Sequence, residues 1–353
     1  MKLGIYTDPH FCSTSSILIG KDAESGYSLR LSNLIQSFKW MNDLFESEEC
    51  DHIISLGDTT DKSHLNAEEI TAMSQCNLES HILLLGNHCI DSIDGTINSV
   101  NNYNVISEPT EIFDGVLMLP YNKTPYNLSE LYKELGLTKN PKIILSHNDI
   151  SQVLYTSQGY YSDFGYNQSD ILNSCELFIN GHIHTASEVV DHRIINLGSL
   201  TGLNFNSSTI GRVMILDTES LKYKYYNNPY SLMFLTSTVD SYEDVPKLNS
   251  LLSDYQEYPV VLKVKVMNTH IDEVIKLLDQ YSNILARRIN ITYEIIVSDE
   301  VETDDIDIST SSLSIFERYI EYLKGLGFGE LTSSESKLLV SRLQEVGGVN
   351  DVS

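Results

Sequence analysis

The sequence predicts an α/β fold built on a β-sandwich with flanking helices. Five short runs of apolar β-forming residues each end at a polar segment, which is typical of buried strands. A helical pattern lies between the first two runs, and its apolar stripe consists of Leu31, Leu34, Ile35, Phe38, Met41 and Phe45. We expect strand and helix to alternate through about residue 150. Closely spaced strands then follow: RIINL near 193, RVMIL near 212 and LKYKYY near 221.

The polar segments hold metal-ligand residue types in one ordered series. They are TDPH at 7–10, GDTTD at 57–61, GNHC at 86–89, SHND at 146–149 and GHIH at 181–184. The apolar runs before or around them are LGIY, HIISL, HILLL, KIILS and ELFIN. We therefore expect each segment to follow a buried strand, at the carboxyl edge of the sheet.

The remaining sequence predicts a second unit, a linker and a C-terminal helical segment. We place a first domain at 1–235 and a small α/β domain at 236–298, in which the strands VVLKVKV at 260–266 and INITYEIIV at 289–297 flank a helix near 271–278. Six carboxylates and no basic residue lie in 299–307, so 299–311 is predicted to be an extended acidic linker. Residues 312–353 carry two short amphipathic patterns, and we expect this helical pair to dock on another protein.

Composition favours a soluble protein of a reducing compartment, and the cytoplasm is expected. No apolar run is long enough to span a bilayer, and the N-terminus lacks the apolar block of a signal peptide. The five cysteines are scattered and form no close pair. The net charge of −26 argues against a simple nucleic-acid binder, because phosphate affinity normally requires surplus Lys and Arg.

The residue types in the five segments predict a two-metal phosphoesterase. Phosphodiester hydrolysis needs charge neutralisation on the phosphoryl oxygens and a hydroxide at neutral pH, which two cations about 3.5–4 Å apart supply. Asp58 is the predicted bridge between them, because an anionic oxygen lowers the repulsion of two cations. Asp8 and His10, two residues apart, suit one metal.

The other predicted ligands are imidazoles and one amide. His182 and His184 can present two imidazoles from one turn, while Asn87 offers a carbonyl oxygen and His147 a nitrogen. Oxygen and nitrogen ligands without thiolate favour manganese, with Mg, Fe or Zn as alternatives. His88 is the predicted catalytic residue, which stabilises or protonates the leaving oxygen.

In these motifs the chain resembles the calcineurin-like metallophosphoesterases, and their order is most similar to that of the SbcD-type DNA-repair nucleases, including phage forms. The resemblance implies a four-layer β-sandwich flanked by helices, with a small α/β capping domain and a C-terminal helical pair. It also implies that two Mn²⁺ ions are held, one by Asp8, His10, Asp58 and His184, the other by Asp58, Asn87, His147 and His182.

The same resemblance implies function and partners. The nuclease would act as a 3′-to-5′ exonuclease on duplex DNA and as an endonuclease on single strands, in DNA recombination, repair or replication. Its partner would be an SMC-type ATPase of the SbcC kind, bound through the C-terminal helices, and a homodimer in the bacterial or phage-infected cytoplasm is expected, without a membrane partner.

Two features leave alternatives open. Cys89 stands where the family usually has an Asp that orients the imidazole of His88, so Asp91, Asp94 or Cys89 itself could take that place, or turnover could be slower. The aromatic loop 155–166 could stack on unpaired bases, pack a dimer interface or cover the sheet. Besides the nuclease, the alternatives are another phosphodiesterase or phosphatase, and a scaffold that has lost catalysis.

Overall fold

A computed structural model of the chain describes residues 1–13, 18, 20–88, 103–153, 162–205 and 209–293. The chain divides into two compact units, Met1–Glu294 and Ile295–Ser353, and every described residue belongs to the first. The predicted linker at 299–311, the predicted helical segment at 312–353, Cys89 and most of the aromatic loop lie outside the described residues.

The described residues form fifteen strands and six α-helices. The strands are β1 (Lys2–Tyr6), β2 (His52–Ser55), β3 (His81–Leu84), β4 (Asn104–Ile106), β5 (Thr110–Phe113), β6 (Val116–Leu119), β7 (Ile143–Ser146), β8 (Leu177–Asn180), β9 (Ser187–Val189), β10 (Ile194–Asn196), β11 (Arg212–Asp217), β12 (Tyr223–Asn227), β13 (Met233–Val239), β14 (Val260–Met267) and β15 (Ile284–Thr292). The helices are α1 (Leu29–Ser47), α2 (Ala67–Met73), α3 (Leu128–Glu134), α4 (Gln168–Ser174), α5 (Asp244–Asp254) and α6 (Ile271–Leu278).

The strands form two six-stranded sheets and one three-stranded sheet. The first sheet has the order β12-β11-β1-β2-β3-β4 and the second the order β5-β6-β7-β8-β10-β9. In the first sheet β1 to β4 run parallel, and in the second β6, β7, β8 and β10 run parallel. The antiparallel strands β11, β12, β5 and β9 lie at the sides of these parallel blocks.

The two larger sheets face each other across one apolar core. Side chains from β1, β2 and β3, such as Leu3 and Ile54, meet side chains from β6, β7 and β8, such as Ile143 and Ile179, and all four are fully buried. Successive strand residues point to opposite faces, so the side chains that do not face this core lie on the outer face of each sheet.

Helices cover both outer faces, so the sandwich has four layers. Ser28 caps α1 by accepting a hydrogen bond from the backbone of Leu31. The buried stripe of α1 then packs on the first sheet, where Gly4 makes room for Phe45: a Cβ at Gly4 would lie 2.7 Å from the Phe45 ring. Helices α3 and α4 cover the second sheet in the same way. This is the predicted α/β fold class.

The third sheet has the parallel order β13-β14-β15 and its own apolar core with α5 and α6. The helix predicted near 271–278 is α6, and the strand predicted at 260–266 is β14. The last strand was misplaced: it covers Ile284–Thr292, whereas the sequence suggested a strand from 289 to 297.

The expected strand–helix alternation also fails in one place. Strands β4, β5 and β6 follow one another from Asn104 to Leu119 with no helix between them. The turn residues Glu108, Pro109 and Gly115 divide this stretch into short strands. Among the described residues, no helix is both long and apolar enough to cross a membrane.

Candidate metal centre

The predicted ligands meet because the parallel strands of both sheets end at the same side of the sandwich. Asp8 and His10 follow β1, Asp58 follows β2, and Asn87 and His88 follow β3 in the first sheet. His147 follows β7, and His182 and His184 follow β8 in the second sheet. The sequence suggested a single sheet edge, whereas the site lies between the edges of two facing sheets.

One cluster consists of Asp8, His10 and His184, whose ligand atoms lie within 4.8 Å of one another. The Nε2 atoms of His10 and His184 are 3.1 Å apart. Asp8 Oδ1 lies 3.6 Å from His10 Nε2 and 3.5 Å from His184 Nε2. Three side chains from two sheets thus turn their polar atoms toward one point.

A second cluster consists of Asp58, His147 and His182, again with ligand atoms within 4.8 Å of one another. His147 Nε2 lies 3.2 Å from Asp58 Oδ2 and 3.1 Å from Asn87 Oδ1. His182 Nδ1 lies 2.9 Å from the same Asn87 oxygen. The amide oxygen therefore faces two imidazole nitrogens at once.

Asp58 connects the two clusters. Its Oδ2 atom is 3.2 Å from His147 Nε2 in the second cluster and 3.7 Å from His10 Nε2 in the first. Its other oxygen, Oδ1, accepts a hydrogen bond of 2.9 Å from the backbone N–H of His88. The carboxylate is held rigidly, with one oxygen turned to the space between the clusters.

The outer nitrogens of three imidazoles are already bound, which fixes where their lone pairs point. Carbonyl and carboxylate oxygens only accept hydrogen bonds, so the ring nitrogen facing each of them must donate. The pairs are His147 Nδ1 with the Leu56 carbonyl at 2.7 Å, His10 Nδ1 with Asp61 Oδ1 at 3.1 Å, and His182 Nε2 with Asp149 Oδ1 at 3.2 Å. When the rings are neutral, the remaining nitrogen of each carries a lone pair directed into the centre.

These distances and the burial fit a pair of bound cations. Two ligand atoms about 2.1 Å from one cation, at the usual angles, lie about 3.0–3.4 Å apart, close to the separations of the facing atoms. Asp8 Oδ1 is buried and has no hydrogen-bond partner, although an unpaired buried oxygen is costly. A cation held by Asp8, His10 and His184 would satisfy it, and oxygen and nitrogen donors suit manganese, iron, zinc or magnesium.

The electrostatics of the centre favour positive charge. Burial alone would raise the pKa of Asp8, but His147, His10 and His184 outweigh it and hold that pKa well below the ordinary range. Burial likewise opposes protonation of His10, yet the hydrogen bond to Asp61 and the nearby charges of Asp8 and Asp58 raise its pKa to about 9. Without a cation, the buried carboxylates therefore favour the protonated form of His10, and metal binding must displace that proton.

His88 lies at the rim of the centre, with a side chain 40% exposed. Its ring packs edge-on against that of His10, with centroids 4.7 Å apart. Its Nδ1 atom donates to the backbone carbonyl of Asp61 at 3.0 Å, which leaves Nε2 as the atom that can carry a proton. Among the described residues the partner of His88 is thus the Asp61 carbonyl, while Cys89, Asp91 and Asp94, which the sequence offers for this role, lie outside the described residues.

The backbone at the ligands is strained in a way that the sequence did not indicate. Asp8, His10, Asp58 and His182 have φ values between 43° and 64°, the left-handed region that residues other than glycine rarely adopt. Such conformations persist only where the surroundings enforce them, and they concentrate at functional sites. Here they turn side chains that follow straight strands sharply into one centre.

Two motif glycines are required by close packing. A Cβ at Gly86 would lie 2.2 Å from Asp58 Oδ1, and one at Gly57 would lie 2.3 Å from His147 Nδ1. Any side chain at either position would displace a ligand. The glycines of GDTTD and GNHC are thus part of the site.

Three neighbours of the centre could not be predicted from the sequence. Asp61 and Asp149 stand in the quoted motifs, but their role as hydrogen-bond partners of His10 and His182 depends on contacts between remote segments. Tyr121 follows β6, and its ring lies 5.6 Å from that of His182. Its segment, LPYN, contains no residue type that signals a metal.

The other histidines, His52, His64, His81, His192 and His270, lie outside both ligand clusters. His81 is buried, and its Nδ1 atom pairs with the hydroxyl of Tyr6 at 3.1 Å. His192 is exposed and pairs with Glu188. Arg287, one of two adjacent arginines on β15, forms an ion pair of 2.8 Å with Asp279.

Comparisons with solved structures identify similar proteins of low sequence identity. An archaeal phosphodiesterase is 19% identical, with a TM-score of 0.31 and coverage of 64% of this chain and 99% of that one. The phosphoesterase YfcE from E. coli is 12% identical, with a TM-score of 0.33 and coverage of 65% and 100%. A dimetal phosphatase from Danio rerio is 12% identical, with a TM-score of 0.37 and coverage of 64% and 98%.

No curated protein matches the chain in sequence. A family model does: that of the calcineurin-like phosphoesterases matches residues 1–186, which is more than half of the chain. The matched region contains both ligand clusters, and the family binds divalent metals. The chain therefore belongs to the calcineurin-like phosphoesterase family.

Proposed function

We propose that this chain is a manganese-dependent DNA nuclease of the SbcD type. It would act as a 3′-to-5′ exonuclease on duplex DNA and as an endonuclease on single strands. The observation that carries the proposal is the position of Asp58 between two clusters of buried oxygen and nitrogen ligands. A dinuclear centre of this kind is suited to displacement at phosphorus.

Two sets of residues would hold the two cations. One cation would be held by Asp8, His10 and His184, and the other by His147, His182 and Asn87. Asp58 would bind both cations. The ions would supply charge neutralisation at the phosphoryl group and a hydroxide at neutral pH. Asp61, Asp149 and the Leu56 carbonyl keep three imidazoles in the required orientation, as second partners of metal-bound histidines commonly do.

His88 would act on the leaving oxygen. Its backbone is tied to Asp58 and its Nδ1 atom to the Asp61 carbonyl, so the ring is held beside the centre. The free Nε2 atom can then stabilise the leaving oxygen or pass it a proton. The orientation needs no carboxylate at position 89, so Cys89 is compatible with catalysis.

We further propose that the chain is the nuclease subunit of a larger complex. The amphipathic patterns in residues 312–353 would bind an SMC-type ATPase of the SbcC kind, and the nuclease would form a homodimer. The acidic composition supports such an assembly, because a chain with a net charge of −26 gains DNA affinity from a partner and from its metals.

The activity can be tested with labelled linear duplex, single-stranded circles and a generic phosphodiester ester in the presence of Mn²⁺. The wild-type chain is compared with Asp58→Ala, His88→Ala and, as a matched control, His64→Ala, whose side chain is exposed. We expect Asp58→Ala to abolish cleavage of every substrate and His88→Ala to lower kcat by about 100-fold or more. His64→Ala should leave both unchanged.

The substrates separate the proposal from its alternatives. Hydrolysis of the ester without any cleavage of DNA would favour another phosphodiesterase or a phosphatase. A chain that binds no Mn²⁺ at millimolar supply would be a scaffold. Unchanged DNA cleavage by Asp58→Ala would refute the role of Asp58 as a bridge.

A further inference from the structure

Phe164 is the most exposed of the large hydrophobic residues that the structure describes, with 78% of its surface accessible to solvent. An exposed phenylalanine contributes nothing to the core and loses the favourable free energy of burial. A single exposed apolar side chain is common on protein surfaces, so the position of Phe164, and not its exposure alone, decides what it can do. The surroundings of Phe164 indicate what it could bind.

The backbone around Phe164 is fixed. Its N–H donates to the hydroxyl of Ser162 at 3.0 Å, and the N–H of Tyr166 donates to the carbonyl of Asp149 at 2.9 Å. Gly165 lies so close to Asp149 that a Cβ would be 2.2 Å from its carbonyl oxygen. Phe164 is thus presented by a segment bound directly to Asp149.

Asp149 connects this segment to the metal centre. Its carboxylate accepts the hydrogen bond from His182, which belongs to the second ligand cluster. The ring of Tyr121 lies 5.6 Å from the same His182 and 6.5 Å from His147. Tyr121 therefore neighbours the second ligand cluster directly, and the segment that carries Phe164 is joined to the same His182 through Asp149.

The charge of the chain favours uncharged contacts to the substrate. With 23 basic and 49 acidic residues, the protein cannot derive much affinity from phosphate contacts. Aromatic rings that stack on bases add affinity that does not depend on surplus positive charge. A base can stack only when it is unpaired or displaced from its duplex.

We propose that Phe164 and Tyr121 form a subsite for an unpaired nucleobase next to the scissile phosphate of a single-stranded or frayed DNA end. This inference rests on the proposed DNA nuclease activity and names the form of DNA that the site accepts. Phe164 stacks on the base from the solvent side, and Tyr121 positions the nucleotide beside His182.

The test compares binding and turnover in Phe164→Ala, Phe164→Trp and a control. Binding of a fluorescent oligothymidylate is measured by anisotropy with Mn²⁺ in a His88→Ala background, which keeps all the proposed metal ligands. Turnover is measured with His88 intact, on the same oligonucleotide and on bis-p-nitrophenyl phosphate. The control is Tyr242→Ala, which removes an aromatic ring that is 66% exposed and packs on His270 near the third sheet.

We expect Phe164→Ala to weaken oligothymidylate binding and raise its KM by about 5- to 150-fold, the range for the loss of one stacked base. Turnover of the small ester should not change, because it has no base. Phe164→Trp should restore binding, and the Tyr242→Ala control should behave as wild type. The loss should also persist at high salt.

Equal affinity for oligothymidylate in the wild type and Phe164→Ala would overturn the proposal. So would an equal loss of activity on both substrates, since that would place Phe164 in support of the metal centre. If the wild type hydrolyses the ester but neither binds nor cleaves DNA, the proposed nuclease function itself fails and the subsite with it. DNA cleavage by the wild type thus distinguishes the two failures.

Discussion

At the scale of single residues, the centre depends on strained backbone conformations at its ligands and on a glycine that leaves space for one of them. The ligands Asp8, His10, Asp58 and His182 occupy left-handed backbone conformations, and Gly86 leaves space for the carboxylate of Asp58. These features together fix Asp58 between the two clusters. Small displacements of reacting groups are costly, at about 100-fold in rate per ångström.

Gly86→Ala should therefore abolish activity while the protein stays folded. The new Cβ would lie 2.2 Å from Asp58 Oδ1, so the carboxylate must move. We expect a loss of at least about 100-fold in kcat and weaker Mn²⁺ binding by calorimetry, with an unchanged circular dichroism spectrum. Gly26→Ala is the control for backbone strain without a clash: its φ of 73° disfavours a side chain, but nothing lies within 4 Å of its Cβ position. Full activity of Gly86→Ala would show that the space is not required.

His81 predicts a pH dependence of stability that is separate from the metal centre. Burial lowers the pKa of His81 from 6.5 to about 4. In the unfolded chain this imidazole binds a proton near pH 6.5, so as pH falls below that value the unfolded state gains a proton that the folded state resists. The contribution of His81 to stability is therefore fully present above about pH 6.5 and is lost as pH falls toward about 4.

His81→Gln removes this titration and keeps a polar group for Tyr6. Between about pH 7.5 and about pH 5, the wild type should lose about 2 kcal/mol more of its free energy of unfolding than the variant does. Urea denaturation of the wild type and the variant at the two pH values, with a chelator present, measures their free energies of unfolding. Parallel pH profiles for the two proteins would contradict the buried, neutral state of His81.

At the scale of elements, one polar contact joins the sides of the two large sheets. Glu188 on β9 accepts hydrogen bonds from Tyr225 at 2.6 Å and Tyr223 at 3.1 Å, and both tyrosines lie on β12. Burial alone would raise the pKa of Glu188, but these hydrogen bonds outweigh it and lower that pKa. The carboxylate thus links the edge of one sheet to the edge of the other.

Glu188→Ala should lower the free energy of unfolding by about 1–3 kcal/mol, because two tyrosine hydroxyls lose a charged acceptor. Glu176→Ala, at an exposed position, serves as the control and should change it by less than about 0.5 kcal/mol. Thermal or urea unfolding of the three proteins measures the difference. Equal stabilities would mean that this contact contributes nothing to the stability of the sandwich.

The strand ends were predictable from the sequence, but the pairing of the strands was not. Apolar runs such as HIISL stop where polar motifs begin, so local composition predicts both the strand and the position of Asp58. The division into two facing sheets depends on which strands pair across long sequence distances, as β10 does with β8. Nothing local in RIINL indicates that partner.

The same limit applies to the contacts of the centre. The predicted ligands are brought together by the fold, while their assignment to individual cations remains a proposal. The roles of Asp61, Asp149 and Tyr121 arise from contacts between segments that are far apart in sequence, such as His10 with Asp61 and His182 with Asp149. The left-handed backbone at the ligands follows from those contacts as well.

At the scale of the whole molecule, two sheets that end at one side create an acidic, ligand-rich centre in a strongly acidic chain. Asp58 is proposed to bridge two divalent cations. The proposed chemistry and the nucleobase subsite both depend on that dinuclear centre. Metal binding should release a proton, because His10, whose pKa is raised by the neighbouring carboxylates, is protonated when no cation is bound.

The most direct test is a crystal structure of the full chain soaked in MnCl₂, with anomalous scattering measured at the manganese edge. If Asp58 bridges two cations, two anomalous peaks should appear about 3.5–4 Å apart, with the Asp58 carboxylate between them and His10 and His147 on opposite sides. No peak, or a single peak away from Asp58, would contradict it.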